Sequence, residues 1–576
     1  MNFATSPVLE LTLPAWRSRF VALLVFCGFA VLAGRAVYLQ GLHNAFLQAK
    51  GESRYGRIIE TSANRGRITD RHGEMLAVST PVKSIWAIPE EVKFEGPQLS
   101  KLAGLLGMPE REITNRIAET GGDFVFIKRQ IPPEVADRVA KLHIRGLFQD
   151  REYRRYYPSG EVTAHVLGFT GAGDAGLEGV ELAFQEHLAG KAGSRRVIRD
   201  RLGQIVEDVE SIRAAQQGKD ISLALDAKIQ SLAFSQLKAA VIRHRAKAGS
   251  IVALDVGTGE VLALANVPTY NPNNRAQLSG AQLRNRAVTD TFEPGSTLKP
   301  FTIAAALESG RITPQTKIQT APGRFTIGAA TIRDAHPEAV LSVEQIIQKS
   351  SNVGAAKIAL SLPAESLWDM FQSVGFGAVP RLGFPGEVAG RLRPYKTWRP
   401  IEQATMAYGH GISVSLLQLA HAYSIFARDG GIVPLSLTRV DLPGTPRSVI
   451  TAQTARRVRH MLELAAQVGG TAPRAQIAGY RVAGKTGTAH KQENGTYAAH
   501  KYVSSFVGFA PASNPRLIIA VMIDEPSDGR YYGGEIAAPV FSRVMEGALR
   551  LTGVPPDAPM RPVEMPAKGQ EVEESI

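Results

Sequence analysis

Apolar positions fall into three regimes along the chain. From Phe20 to Gly34 they run on without a charge; from residue 41 to about 220 they come in short runs cut by charge, Gly and Pro; from 221 to Leu551 they settle into long helical and strand periods. If Arg35 snorkels, the first run extends to Leu39 and makes a helix about 30 Å long, enough to span a bilayer. This predicts one transmembrane helix over 20–40. A cleaved signal peptide is disfavoured, because Arg35 and the bulky residues after it make a poor small-residue cleavage site. Arg17 and Arg19 before the span place residues 1–19 in the cytoplasm, while Lys50, Arg54 and Arg57 beyond it leave the charge rule unclean.

The middle regime predicts a mixed α+β pedestal over 41–220, with strand-like runs such as Val162 to Phe169. Gly171-Ala-Gly173-Asp-Ala-Gly176 formally matches a dinucleotide-binding fingerprint, but no series of strand-helix-strand units surrounds it. A Gly-rich turn is the better reading. The third regime opens with a helical segment, Ala227 to Ala240. Two buried strands follow in a hairpin, Ser250 to Val256 and Glu260 to Ala265, about Gly257-Thr-Gly259. Three more strand candidates come far downstream: Tyr480 to Ala483, Ser504 to Ala510 and Leu517 to Ile523. Helical patterns such as Leu416 to Ala427 lie between. Strands at both ends of a helical middle predict an α/β domain over 221–552, one antiparallel sheet covered by helices. The Pro- and Glu-rich stretch 553–576 is expected to be disordered.

Composition adds exclusions. At 576 residues, 44% hydrophobic and 21% charged, the chain is neither a small module nor a disordered one. A formal charge of +13 favours an anionic partner. The basic residues are scattered, and no basic motif or aromatic platform points to nucleic acid. Cys27 is the only cysteine, which excludes an internal disulfide and a Cys-based zinc site, and no His-Glu-x-x-His occurs. No metal or cofactor is expected.

Candidate chemistry starts with Ser296-Thr-Leu-Lys299, one of two Ser-x-x-Lys matches. The other, Ser235-Gln-Leu-Lys238, sits inside an unbroken helical pattern and reads as helix surface. Ser296 follows the turn signal Phe292-Glu-Pro-Gly295 and precedes Pro300, a residue tolerated only in the first turn of a helix. The serine is therefore expected at a helix N-terminus, where free amides stabilise an oxyanion, with Lys299 one turn on, over the hydroxyl. Lysine is a poor base at its reference pKa, since holding it neutral at pH 7 costs about 4.6 kcal/mol. A desolvated pocket and a second cation would lower that pKa.

Lys485-Thr-Gly-Thr488 can supply the cation near the end of the strand that begins at Tyr480. Gly487 would let a substrate backbone approach, and Thr486 and Thr488 offer hydroxyls to an anionic terminus. Alone, this tetrapeptide reads better as a Gly-containing hairpin turn. Ser350-Ser-Asn352 marks a junction between the helical patterns Val343 to Lys349 and Val353 to Leu360, where simple N-capping is the alternative.

Taken in order, Ser296-x-x-Lys299, Ser350-x-Asn352 and Lys485-Thr-Gly487 match the three motifs of penicillin-interacting serine enzymes. The chain resembles class B penicillin-binding proteins, and among them the division-type (FtsI) peptidoglycan D,D-transpeptidases. Arg65-Gly-Arg-Ile-Thr-Asp-Arg-His-Gly73, Arg155-Tyr-Tyr-Pro-Ser-Gly160 and Gly176-Leu-Glu-Gly-Val-Glu181 resemble the pedestal motifs of that class. Tyr270-Asn-Pro-Asn-Asn274 and Tyr408-Gly-His-Gly411 are similar to its division branch.

The resemblance implies a cytoplasmic tail, a single-pass inner-membrane anchor, a dimerisation-type pedestal and a periplasmic transpeptidase domain. It implies a nucleophile, Ser296, served by Lys299, Ser350, Asn352 and Lys485, with Thr486, Gly487 and Thr488 binding substrate. Peptidoglycan stem peptides and β-lactams are the implied ligands; the glycan polymerase FtsW and other division proteins are the implied partners. An elongation-type enzyme, a carboxypeptidase or β-lactamase-like hydrolase, and a non-catalytic scaffold remain as alternatives.

Overall fold

The structure, a computed structural model, describes residues 14–42, 56–61, 63–118, 124–171, 173–199, 205–276, 278–493, 496–566 and 572–574. Residues 1–13, most of the expected cytoplasmic tail, lie outside the described residues, as do 567–571 and 575–576 of the expected disordered tail. The chain divides into two units: 1–63, 81–153 and 191–217 make one, and 64–80, 154–190 and 218–576 make the other.

Helix α1 (Ala15–Val37) has no buried residue and is long and apolar enough to cross a membrane. It starts five residues before the uncharged run, because Pro14 initiates it and Arg17 and Arg19 continue its first turns. In the first unit, strands Gly56–Thr61, Gly193–Arg199 and Ile205–Arg213 pair antiparallel. Nearby in sequence, helices Gln98–Leu106, Glu110–Ala118 and Pro133–Ala140 bury Leu102, Ile113 and Val139 against Ile85 and Ile127.

The second unit is built on a five-stranded antiparallel sheet. Helix α2 (Ala227–Arg243), capped by the Asp226 carboxylate on the amides of Lys228 and Ile229, leads into β1 (Ala248–Asp255) and β2 (Val261–Val267). The sheet is completed by β3 (Ala483–Glu493), β4 (Thr496–Ala510) and β5 (Leu517–Asp524) in the order β2-β1-β5-β4-β3.

Alternation along the strands explains their nearly unbroken apolar sequences. Ile251, Ala253, Ile519 and Val521 pack with α2 and the last helix, α6 (Gly533–Leu551), while Val252, Leu254, Ala520 and Met522 face the helical middle of the domain. Both faces are covered, so both sets of positions must be apolar. The helical middle includes α3 (Lys299–Glu308), α4 (Val343–Gln348) and α5 (Asn352–Leu360). Phe301 anchors α3 among the rings of Phe376, Tyr423 and Phe426.

Several sequence expectations need correction. Val162 to Phe169 is not a strand: Gly160–Val162 is a 3-10 turn and Ala164–Leu167 a helical turn, with all four of the latter residues buried. A strand pattern with one exposed face does not apply where every position is covered. Leu416 to Ala427 breaks into Leu416–Ala422 and Ser424–Ala427 at Tyr423. The strand expected to start at Tyr480 starts at Ala483.

Residues 553–566 form no helix or strand, yet Val554 is buried and Asp557 accepts hydrogen bonds from the Arg481 amide and the Ser513 hydroxyl. The Glu564 carbonyl accepts from Gln476. Disorder therefore does not describe this part of the expected tail.

The motifs likened to a pedestal meet inside the second unit. The Glu181 carboxylate, fully buried, accepts from Arg65 at 2.6 Å and from Arg155 at 2.7 Å. Arg65 also donates to the carbonyls of Asp174 and Glu181. Three sequence-distant motifs are thus joined by one ion network, whose burial demands that each charge be paired.

Candidate active site

The turn Phe292-Glu-Pro-Gly295 ends in a 3-10 segment, Gly295–Leu298, that runs directly into α3. Gly295 has φ +57°, and a Cβ there would lie 3.2 Å from the Thr488 carbonyl, so the turn sits hard against β3. Its geometry is pinned by the Thr297 hydroxyl, donating to Pro294 O at 2.7 Å, and the Tyr423 hydroxyl, donating to Thr297 O at 2.7 Å. Lys299 is the first residue of α3 and Pro300 the second, where the missing amide costs nothing.

Ser296 is 2% exposed and Lys299 fully buried. Lys299 Nζ lies 2.9 Å from Ser296 Oγ and 3.0 Å from Ser350 Oγ, and it also donates to the Ser350 carbonyl. Burial, then the nearby Lys485 ammonium, hold Lys299 well below the ordinary lysine value; Glu574 and Asp334 pull the other way. A lysine in that state can accept the serine proton.

The Ser350-Ser351-Asn352 junction divides its labour. Ser351 is the N-cap of α5, its hydroxyl accepting from the Gly354 amide at 2.9 Å. That leaves Ser350, at φ +60°, free to meet Lys299. Among the described residues, Asn352 does not hydrogen-bond Lys299: its Nδ2 reaches Arg333 O, at 3.5 Å, and its buried Oδ1 has no partner. A buried, unpaired acceptor is costly, which makes it a ready contact for an incoming donor.

Lys485 is fully buried near the start of β3, pushed down to about 8 by burial against the opposing pull of Glu574. Its ammonium donates to Thr486 Oγ1 at 3.1 Å and Thr471 Oγ1 at 3.4 Å. The Thr486 and Thr471 hydroxyls are 2.9 Å apart. Thr488 instead accepts from the Gly533 amide at 3.0 Å and donates to the Glu574 carboxylate at 2.8 Å. Gly487 does not mark open strand edge: a Cβ there would come 2.6 Å from both Pro294 O and Ser505 Oγ. The glycine lets β3 close against the turn that carries Ser296.

Sequence reasoning missed three groups. Asp334 accepts from the Ser351 hydroxyl at 2.6 Å and the Val353 amide at 2.9 Å, steadying the junction from an unrelated loop. Thr471, 14 residues before Lys485, and Glu574, 86 residues after Thr488, approach the Lys485-to-Thr488 segment with no local pattern to announce them. The rejected pair is ordinary: Ser235 donates to Leu232 O within α2, and Lys238 pairs with Glu161.

The arrangement is that of a serine acyl-transfer site with a lysine base, set between a helix N-terminus and the edge strand of a five-stranded sheet. The penicillin-binding protein transpeptidase domain matches residues 249–546, and the penicillin-binding protein dimerisation domain matches residues 60–223. The chain is 44% identical over 548 residues to the probable peptidoglycan D,D-transpeptidase PenA of Neisseria gonorrhoeae, covering 94% of each chain. It is 41% identical over 550 residues to the peptidoglycan D,D-transpeptidase FtsI of Escherichia coli K12, covering 94% of this chain and 93% of that one. Among solved structures, the transpeptidase domain of Burkholderia pseudomallei penicillin-binding protein 3 is 47% identical, with a TM-score of 0.55, over 58% of this chain and 98% of that one. This chain belongs to the penicillin-binding protein transpeptidase family.

Proposed function

We propose that this chain is a peptidoglycan D,D-transpeptidase that cross-links stem peptides at the division septum and is acylated by β-lactams. The observation that carries the reading is the buried Lys299 amino group, 2.9 Å from Ser296 Oγ and with its proton affinity lowered. Lys299 takes the hydroxyl proton as Ser296 attacks the carbonyl of the penultimate D-Ala. The amides of Ser296 and Thr488 hold the oxyanion, and the close packing of Gly295 on Thr488 supports that pairing.

The C–N bond then breaks, the leaving amine takes the proton, and D-Ala departs. An amine from a second stem attacks the acyl-enzyme and restores Ser296. Ser350, 3.0 Å from Lys299, is placed to pass the proton, and burial, followed by the charge of Lys485, favours the neutral form of Lys299. Thr488 holds the terminal carboxylate of the donor stem; Thr486, engaged with Thr471 and Lys485, orients that ammonium instead. Asn352 meets the substrate through its unpaired Oδ1.

Helix α1 anchors the chain in the inner membrane, with residues 1–19 cytoplasmic, 20–40 in the bilayer and those from 41 onward periplasmic. The FtsI names among the relatives favour septal work over elongation, and the glycan polymerase FtsW is taken as a partner on the class B resemblance alone. The test is Ser296→Ala in the full chain: cross-linking and penicillin labelling should both disappear with folding unchanged. Labelling that persists would overturn the assignment of the nucleophile.

A further inference from the structure

Glu574 is 3% exposed, an unusual position for a carboxylate at the end of a Pro- and Glu-rich stretch. Its Oε2 accepts from the Thr488 hydroxyl at 2.8 Å, and its Oε1 lies 3.8 Å from Lys485 Nζ. The preceding residue is held as well: the Glu573 amide donates to His336 Nε2 at 3.0 Å, and the Tyr532 hydroxyl reaches the Glu573 carboxylate at 3.3 Å. Val572, Glu573 and Glu574 line a cavity of about 240 Å³ with Thr471, Arg474 and Arg530. A buried carboxylate persists only where charge and hydrogen bonds repay its lost hydration. Here Thr488 and Lys485 provide both.

We infer that Val572–Glu574 is a ligand of this chain's own transpeptidase site, its Glu574 carboxylate occupying the place of the donor stem's terminal carboxylate and so competing with donor peptide and β-lactam alike. The inference rests on the proposed role of Thr488 as carboxylate holder. A substrate anion and Glu574 cannot share one hydroxyl and one ammonium, so the segment must leave before acylation. A ligand tethered to its own site acts at an effective concentration on the order of millimolar, so a segment with a dissociation constant of about 0.1 mM would slow acylation about tenfold. The opposing charge of Glu574 also favours the protonated forms of Lys485 and Lys299, which adds to the inhibition.

The test compares the full chain in detergent, the same chain ending at Pro566, and Glu574→Ala, by the second-order rate of acylation with a fluorescent penicillin. The chain ending at Pro566 should react about tenfold faster than the full chain. Glu574→Ala should recover most of that gain, and a synthetic peptide of residues 567–576 should slow the shortened chain by competition. Equal rates in all three chains would overturn the inference, as would a faster shortened chain with Glu574→Ala unchanged. Failure of every chain to acylate would instead overturn the proposed function, so the two failures are distinguishable.

Discussion

Replacing Lys485 by methionine should stabilise the protein while disabling it. The ammonium is fully buried, and its pKa falls from 10.5 to about 8 because burial disfavours the charged form. At about 1.4 kcal/mol per pH unit, that fall is on the order of 3 kcal/mol of stability withheld at neutral pH. The unfolded chain binds this proton more readily than the folded one. The penalty is therefore fully present below about pH 8 and is relieved as pH rises towards 10.5.

Methionine fills similar volume without the charge. The hydrogen bonds lost to Thr486 and Thr471 are long, 3.1 and 3.4 Å. Allowing about 1 kcal/mol for them, with Glu574 free to swing out into water once its cation is gone, leaves a gain of about 2 kcal/mol at pH 7. Thermal unfolding of the full chain in detergent, followed by near-ultraviolet circular dichroism, should show a higher midpoint for the variant at pH 7, by about 2–4 °C per kcal/mol, and a smaller difference at pH 10. In the chain ending at Pro566, where Glu574 no longer supports the charged form, the gain at pH 7 should be larger. A variant less stable than the parent by the same amount at both pH values would refute the electrostatic argument.

Further outcomes follow from the same geometry. Lys299→Met should retain the fold and lower the acylation rate about 10²–10⁴-fold, measured by stopped-flow labelling. In the parent protein, acylation should fall on the acid side as Lys299 gains its proton, with a midpoint well below the ordinary lysine value. Asp334→Ala frees Ser351 and the Val353 amide and should slow acylation about 10–100-fold through misplacement of Ser350, with the acid-side midpoint moved down because Asp334 no longer favours protonated Lys299. Glu181→Ala strands two buried guanidinium groups and should cost about 3–5 kcal/mol in a denaturant titration without altering the acylation rate of the folded protein.

The parts of the site that could be read in the sequence are those fixed by local geometry. Ser296 and Lys299 are one helical turn apart after a Pro-Gly turn, so their meeting follows from spacing alone. At Ser350-Ser351-Asn352 both readings hold, on different residues: Ser351 caps α5 and Ser350 reaches Lys299. The sheet could be read because its strands alternate between two covered faces, although its edge strand begins at Ala483 instead of Tyr480. Spacing could not separate Gly487 as a packing residue from Gly487 as substrate access, because the atoms that demand it, Pro294 O and Ser505 Oγ, lie on other elements. Asp334, Thr471 and Glu574 are invisible for the same reason. Each reaches the site through a tertiary contact with no local period or cap to mark it.

The central claim, that Ser296 is the nucleophile activated by Lys299, is tested most directly by intact-protein mass spectrometry of the full chain incubated with penicillin, followed by peptide mapping over several hours. The account predicts a single long-lived acyl adduct on Ser296, absent from Ser296→Ala. An adduct on another residue, or none on a folded protein, would contradict it; an adduct on Ser296 that is rapidly lost would contradict the transpeptidase reading and mark the protein as a hydrolase.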